Sequence, residues 1–331
     1  MLVFVIKRFL QLIPLVFSLT LVTFIIINLP PGDFLTTYIN QLRAQGAVVT
    51  EEQIMALEAR YGLGQPLYVQ YFRWLGSILQ GDLGYSFQWN RSVNDLIAER
   101  LGYTIMLSLT SVLLIWLVAF PLGFYSATNQ YSALDYIFTS ISFFGMSIPE
   151  FLLALCVMWL FFLGTGNFIS GMYAAEFVGQ PMSWAKFVSM LQHMWMPYLI
   201  IVITGTAGLF KTFRANLLDE LGKPYVQAAR ARGVPYKRLL IKYPVRIALI
   251  PFISTVGWML PGLISGQTLL AIVMGLPTLA PLLQSSLRNQ DMFLAGSILL
   301  ILCVLTVIGT VLSDILLAIT DPRMREAIRK G

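Results

Sequence analysis

Long apolar runs separated by short polar segments set the rhythm of this chain. Residues 9–32 carry no charge and follow directly on Lys7 and Arg8. Residues 101–134 are uncharged, 136–175 hold one charge (Glu150), and 187–210 are uncharged. The run 247–287 is uncharged and longer than one helix needs, and 292–313 is the last. A membrane-spanning helix takes roughly 20 mostly apolar residues. The pattern therefore predicts an all-α polytopic membrane protein with six spanning helices, over 9–29, 102–127, 136–163, 196–217, 247–273 and 292–319. The first run is too long for a signal-peptide core, and no small-residue cleavage site precedes Pro30 and Pro31. It is expected to stay as a signal-anchor.

Two polar stretches interrupt the apolar rhythm. In the segment 30–101, Thr50 with Gln53 three residues on reads as a capping box, and Gly62 as a helix stop. Pro66 opens a second helix with Leu67, Tyr71, Trp74, Leu75 and Ile78 on one face and Gly81 closing it. Ser92 and Asp95 predict a third, short helix leading into the membrane. This segment is either a packed loop or a docking surface for a delivery protein. The second stretch, 211–246, places the small residues Ala228, Ala229 and Ala231 among arginines, then Gly233, then Pro235. Gly233 suits a left-handed helix stop, and Pro235 suits the first position of a second helix. Two short helices at an angle, with small residues at the bend, fit a groove on another protein. A loop that is merely basic is the alternative. The predicted division is thus 1–29 (first transmembrane helix), 30–101 (extracytoplasmic helical loop) and 102–331 (core transmembrane domain carrying the cytoplasmic loop 211–246).

Composition sharpens this. Of 331 residues, 57% are apolar and 11% charged, against about 25% charged in a soluble domain. A disordered chain and a soluble enzyme are excluded. The formal charge of +6 comes from 22 Lys and Arg against 16 Asp and Glu. With both termini placed in the cytoplasm, 15 of those 22 bases fall inside: Lys7 and Arg8, nine from Lys211 to Arg246, and the four Arg323, Arg325, Arg329 and Lys330. The surplus follows the positive-inside rule and does not point to nucleic acid.

Much chemistry is missing. A single histidine, His193, and two cysteines, Cys156 and Cys303, leave no His-built metal site, no CxxC and no HExxH. The stretch from Gly205 to Thr212 has the wrong spacing for a phosphate loop. No catalytic or metal-binding residue is assigned. Gly262 and Gly266 form a helix-packing GxxxG. Polar groups inside membrane helices are costly and are candidate pathway residues. Glu150, fourteen residues into the third predicted helix, is one. Ser265, Gln267 and Thr268 in the fifth form another patch. Each could instead be satisfied by a neighbouring helix. Asp314 is expected to pair with the basic rim, and His193 to make a structural hydrogen bond at the approach to the fourth helix.

These residues also carry a resemblance that runs the length of the chain. Lys7 to Pro14, Pro31-Gly32-Asp33, Gly81-Asp82-Leu83-Gly84-Tyr85-Ser86, Ser147-Ile148-Pro149, His193-x3-Pro197 and Asp321-Pro322-Arg323 stand in that order. Between them lies Gln227-Ala228-Ala229-x3-Gly233. The chain resembles the permease subunit of bacterial ABC importers of the dipeptide, oligopeptide and nickel type. In that family the Glu-Ala-Ala-x3-Gly loop forms the coupling helix that docks on the ATPase. The resemblance therefore implies ATPase coupling through Gln227, Ala228, Ala229, Arg230, Arg232, Gly233, Lys237 and Arg238. Gln227 stands for the superfamily Glu, and Tyr243 where the peptide branch tends to have His. Ala271, Met274 and Pro277-Thr278-Leu279-Ala280 replace a Glu and a Phe-x-x-Pro-Gly-x-Gly. Similar replacements occur in relatives thought to carry oligosaccharides.

The resemblance implies the type I importer fold, with both termini cytoplasmic in a bacterial or archaeal membrane. It implies a second related permease, two ATP-binding subunits that hold ATP and Mg, and an extracytoplasmic solute-binding protein, besides the surrounding lipid. This chain itself would need no cofactor. The expected cargo is a short peptide, then an oligosaccharide, then nickel. A secondary transporter would instead show inverted repeats and several intramembrane charges. An intramembrane enzyme would need clustered Ser, His and Asp or metal ligands.

Overall fold

Pro149 cuts one of the expected spans in two. The computed structural model describes residues 10, 13–15, 17–25, 65–86, 88–254, 267–289 and 291–320. Within it, α3 (Ala133–Ser147) and α4 (Glu150–Thr165) meet at an angle of 105°. Proline lacks the amide that continues a helix and pushes the residue before it to extended backbone. Ile148 accordingly sits at φ −98°, ψ 127°. The single straight span over 136–163 is therefore corrected to a bent pair, and Glu150 is the first residue of its second arm rather than a mid-helix position.

The other helices follow the apolar runs but overshoot them. α2 (Val93–Thr128) and α5 (Trp184–Leu221) contain the expected 102–127 and 196–217 and extend well beyond. α11 (Met292–Thr320) matches 292–319 closely. These three are long and apolar enough to cross a membrane, and the bent pair makes a fourth crossing if counted as one. The helix expected after Ser92 is the beginning of α2, because nothing after Asp95 interrupts the ladder. Pro121 and Pro197 lie inside α2 and α5 without ending them. The expected fifth span appears as α8 (Pro244–Ser254) and α9 (Thr268–Val273). Residues 255–266, with the GxxxG, lie outside the described residues, as do the Thr50 capping box and the Asp321-Pro322-Arg323 ending. Of the first expected helix, the described residues 10, 13–15 and 17–25 are helical.

Among the described residues the chain forms two units. One is built from Ile105–Pro277 and the chain from Thr306 on, the other from the chain up to and including Thr104 and from Thr278–Leu305.

In the second unit, α1 (Leu67–Leu79) begins after Pro66 as expected. Its Tyr71 and Trp74 are buried against Phe17 and Phe24, with the Tyr71 hydroxyl 2.8 Å from Thr20 Oγ1. Leu67 on the same predicted face is exposed. The Gly81 to Ser86 motif then folds into a corner. Strands β1 (Tyr85–Ser86) and β2 (Arg91–Ser92) pair antiparallel. Asn94 accepts from the Leu83 amide at 2.9 Å and donates to the Gly81 carbonyl at 2.7 Å. Ser86 Oγ donates to Asp291 at 2.5 Å, and the Gln88 side chain donates to Ser285 of α10 (Leu279–Arg288) at 2.9 Å. Val93, Leu96, Ile97, Leu279, Leu282, Leu294 and Ile298 form the apolar core beneath. Burial pushes the Asp291 carboxyl above the ordinary carboxylate range, while Ser86 and the Leu294 and Gln88 amides pull it down. Ser86→Ala strips this buried carboxylate of its shortest donor. It is expected to cost about 1–3 kcal/mol, read as a lower unfolding temperature of the purified chain in detergent.

The first unit packs α3 and α8 along α5, with α4 against α5 and α9. Phe210 and Phe213 of α5 are fully buried. Phe213 meets Phe120 of α2 and Phe252 of α8 at 5.1 and 5.6 Å between ring centres. Aromatic packing of this kind gives α5 its fixed place.

Candidate coupling hairpin and pathway residues

The stretch after α5 turns sharply because each of its turn residues has the right backbone preference. Gly222 ends α5, and Pro224 takes the first position of α6 (Pro224–Ala231), where its missing amide is not needed. Gly233 has φ +73°. Its amide bonds the Arg230 carbonyl at 3.0 Å, and the Val234 amide bonds Ala229 at 3.3 Å. That crossed pair is a Schellman stop, which requires the left-handed residue. Pro235 is the cap of α7 (Tyr236–Lys242), one residue outside the helix position expected for it. Gly233→Val forces a β-branched side chain into the left-handed region. It is expected to cost the hairpin about 1–2 kcal/mol, visible as faster amide exchange over α6 and α7.

Val226, Ala229, Leu239 and Leu240 form the inside of the hairpin, packed on Phe124, Leu221, Tyr225, Val234 and Tyr243. The three alanines do not share a face. Ala229 is fully buried, while Ala228 and Ala231 are exposed. Ala229 therefore fastens α6 to α7 within this chain, and the outward surface includes Gln227, Ala228, Arg230, Ala231, Arg232, Gly233, Lys237 and Arg238, together with the exposed Tyr236 and Ile241. Gln227 also donates to the Gly222 carbonyl at 3.3 Å. The Tyr225 hydroxyl donates to Glu220, and burial together with that carboxylate holds it well above the usual tyrosine range. It stays a neutral donor throughout physiological pH. The result is a short, rigid, cationic wedge with small residues at its outer surface.

The candidate pathway residues are more dispersed. Glu150 opens α4, is half-buried, and faces Thr204 of α5. Gln267 caps α9 and is buried, and its Nε2 has no hydrogen-bond partner among the described residues. Thr268 starts that helix, and Ser265 lies outside the described residues. α9 packs against α4, so the helices carrying Glu150 and Gln267 are neighbours. His193 lies inside α5 rather than before it, with Nδ1 2.8 Å from the Ser189 carbonyl oxygen.

The sequence profile described as "binding-protein-dependent transport system inner membrane component" matches residues 119–326, which contain the whole hairpin. The profile of the family's N-terminal region matches 1–110. The chain belongs to this family. Among its relatives, the oligopeptide transport system permease protein AppB of Bacillus subtilis is 33% identical over 97% of this chain and 98% of its own length. The oligopeptide transport system permease protein OppB of Haemophilus influenzae is 30% identical over 98% of this chain and 100% of its own. A putative peptide permease protein of Brucella suis is also 30% identical, over 98% and 99%.

This inner membrane component thus belongs to a transport family rather than a catalytic one, and is a multi-pass membrane protein. Arg214 is one of the nine bases of the segment 211–246, and its partner was missed. Arg214 grips Asp135 with two 2.8 Å hydrogen bonds. The available signal was a lone acid at the start of an apolar helix.

Proposed function

We propose that this chain is a permease subunit of an ATP-driven importer of short peptides and forms half of its translocation pathway. The other half is a second, related permease. Two ATP-binding subunits carry ATP and Mg, and a solute-binding protein delivers cargo from outside. Six helices cross the cytoplasmic membrane of a bacterium or archaeon with both termini inside. The hairpin docks in a groove of one ATPase subunit through Gln227, Ala228, Arg230, Arg232, Gly233, Lys237 and Arg238. Glu150, Ser265, Gln267 and Thr268 line the pathway. The observation that carries this reading is the wedge itself: its inside is sealed by Ala229, and its outside presents small and basic residues. Such a surface suits a narrow acidic groove, because side-chain-poor positions permit close approach and the rim charges steer docking. The relatives named for oligopeptides favour peptide over oligosaccharide or nickel.

The test is purification of the chain co-expressed with its candidate partners, followed by uptake into vesicles. Co-purification of an ATPase and ATP-dependent uptake of peptide are the expected results. Uptake driven by an ion gradient without any ATPase would establish a secondary transporter instead. Uptake of oligosaccharide or nickel, and not peptide, would overturn the cargo.

A further inference from the structure

α5 is one unbroken helix that ends at Leu221, three residues before the hairpin begins at Pro224. Two turns before that end, Arg214 points into α3. Its Nε donates to Oδ1 of Asp135 and its Nη2 to Oδ2, both at 2.8 Å. Asp135 is 2% exposed. Its Oδ2 also accepts from the Tyr131 amide at 2.9 Å, and its own amide bonds the Ser132 hydroxyl at 3.2 Å. One carboxylate thus holds the α2–α3 turn and grips α5, while the backbone amide of the same residue donates to the capping Ser132 hydroxyl. Further along the same two helices, Lys211 Nζ lies 3.3 Å from the Phe143 ring centre. At Gly145 a Cβ would stand 2.8 Å from the Ile203 carbonyl oxygen. Beyond this seam come Pro149 and Glu150.

A buried ion pair is weak evidence for stability, since an apolar pair of similar volume is often as stable. What the fork-to-fork geometry adds is register. Two parallel charge-assisted bonds resist sliding and rotation of one helix on the other, which an apolar contact permits. An axial shift or roll of α5 must therefore take α3 with it.

We propose that the Arg214–Asp135 pair is the drive contact that carries displacement of the hairpin into the bent α3–α4 pair, and so moves Glu150. Arg214 is a positioning residue here, acting through Asp135 and α3. The inference rests on the coupling reading of the hairpin, but its readout is separate. Hairpin variants lose stimulated hydrolysis, whereas drive-contact variants hydrolyse ATP without moving cargo.

The experiment uses the complete transporter in vesicles with its solute-binding protein and a peptide cargo. Arg214→Lys keeps the buried charge compensated but loses the fork. Asp135→Asn combined with Arg214→Gln removes both charges and keeps hydrogen-bonding groups. In both variants stimulated ATP hydrolysis is expected to stay within about twofold of the parent, while cargo moved per ATP falls about tenfold or more. A spin label at Tyr136→Cys on α3 is expected to change mobility on ATP binding in the parent and not in Arg214→Lys. Unchanged cargo per ATP, a proportional fall of transport and hydrolysis together, or an α3 label that responds equally in Arg214→Lys overturns the proposal. A failure of the coupling reading shows differently, as normal stimulation in outward hairpin variants.

Discussion

Ala228→Trp is expected to abolish solute-stimulated ATP hydrolysis while the chain itself still folds. Ala228 is exposed on α6 and makes no part of the hairpin core. A bulky side chain there meets only the partner groove. Blocking a central contact of a small interface costs about 2–4 kcal/mol, or about 30- to 1000-fold in affinity. Stimulation should therefore vanish at ordinary subunit concentrations, and cargo binding by the delivery protein should be untouched. Ala229→Arg provides the contrast. Ala229 lies wholly inside, against Val226, Leu239 and Leu240. An unpaired buried charge costs about 3–5 kcal/mol, so that variant should lose the hairpin and its thermal stability together. Normal stimulation in Ala228→Trp would sink the docking surface. Equal thermal stability of the two variants would sink the assignment of inside and outside.

The second large effect concerns close approach of helices. At Gly145 the atom in the way of a Cβ is the Ile203 carbonyl oxygen of α5, 2.8 Å off. Backbone cannot yield, so Gly145→Ala must push α3 from α5, at about 1–3 kcal/mol of overpacking. At Gly205 the obstacle is nearer, 2.5 Å, but it is the Cδ1 end of Ile115. A side-chain end can turn for about 0.5–1.5 kcal/mol, and alanine returns about 1 kcal/mol of helix propensity. Gly205→Ala is therefore expected to be nearly neutral and Gly145→Ala clearly destabilising, with transport lost as the seam beside Arg214 opens. Paired melting curves in detergent decide it, and equal loss in both variants would show that distance alone governs.

What the sequence revealed of this fold follows a physical line. Apolar runs show where helices have lipid or core around them, so α11 and the middles of α2 and α5 were legible. The hairpin was legible because Gly233 and Pro235 act through their own backbone preferences, Pro235 landing one residue outside the position expected for it. Direction was not legible. Pro149 bends the chain by 105°, yet Pro121 and Pro197 lie in continuous helices. The β-branched Ile148 before Pro149 takes extended backbone, whereas Phe120 and Met196 remain helical. The choice is local but slight, and apolar length hides it. That Ala229 faces inward while Ala228 faces outward was not legible from composition, because neighbours on a helix point about 100° apart. The Ser86–Asp291 and Asp135–Arg214 pairs join residues 205 and 79 positions apart, and no local pattern encodes such meetings.

The length of α5 has a consequence for the surrounding lipid. Thirty-eight helical residues make a rod about 57 Å long at about 1.5 Å per residue. A hydrocarbon layer about 30 Å thick could hide it only at a tilt near 60°, beyond the roughly 40° limit of spanning helices. About a third or more of the rod therefore stands in water or headgroups whatever the acyl chains. A thicker bilayer climbs along the rod and covers more of it, while the distance between the rod's two ends is set by covalent geometry. Activity should accordingly vary little when vesicles of shorter and longer acyl chains are compared.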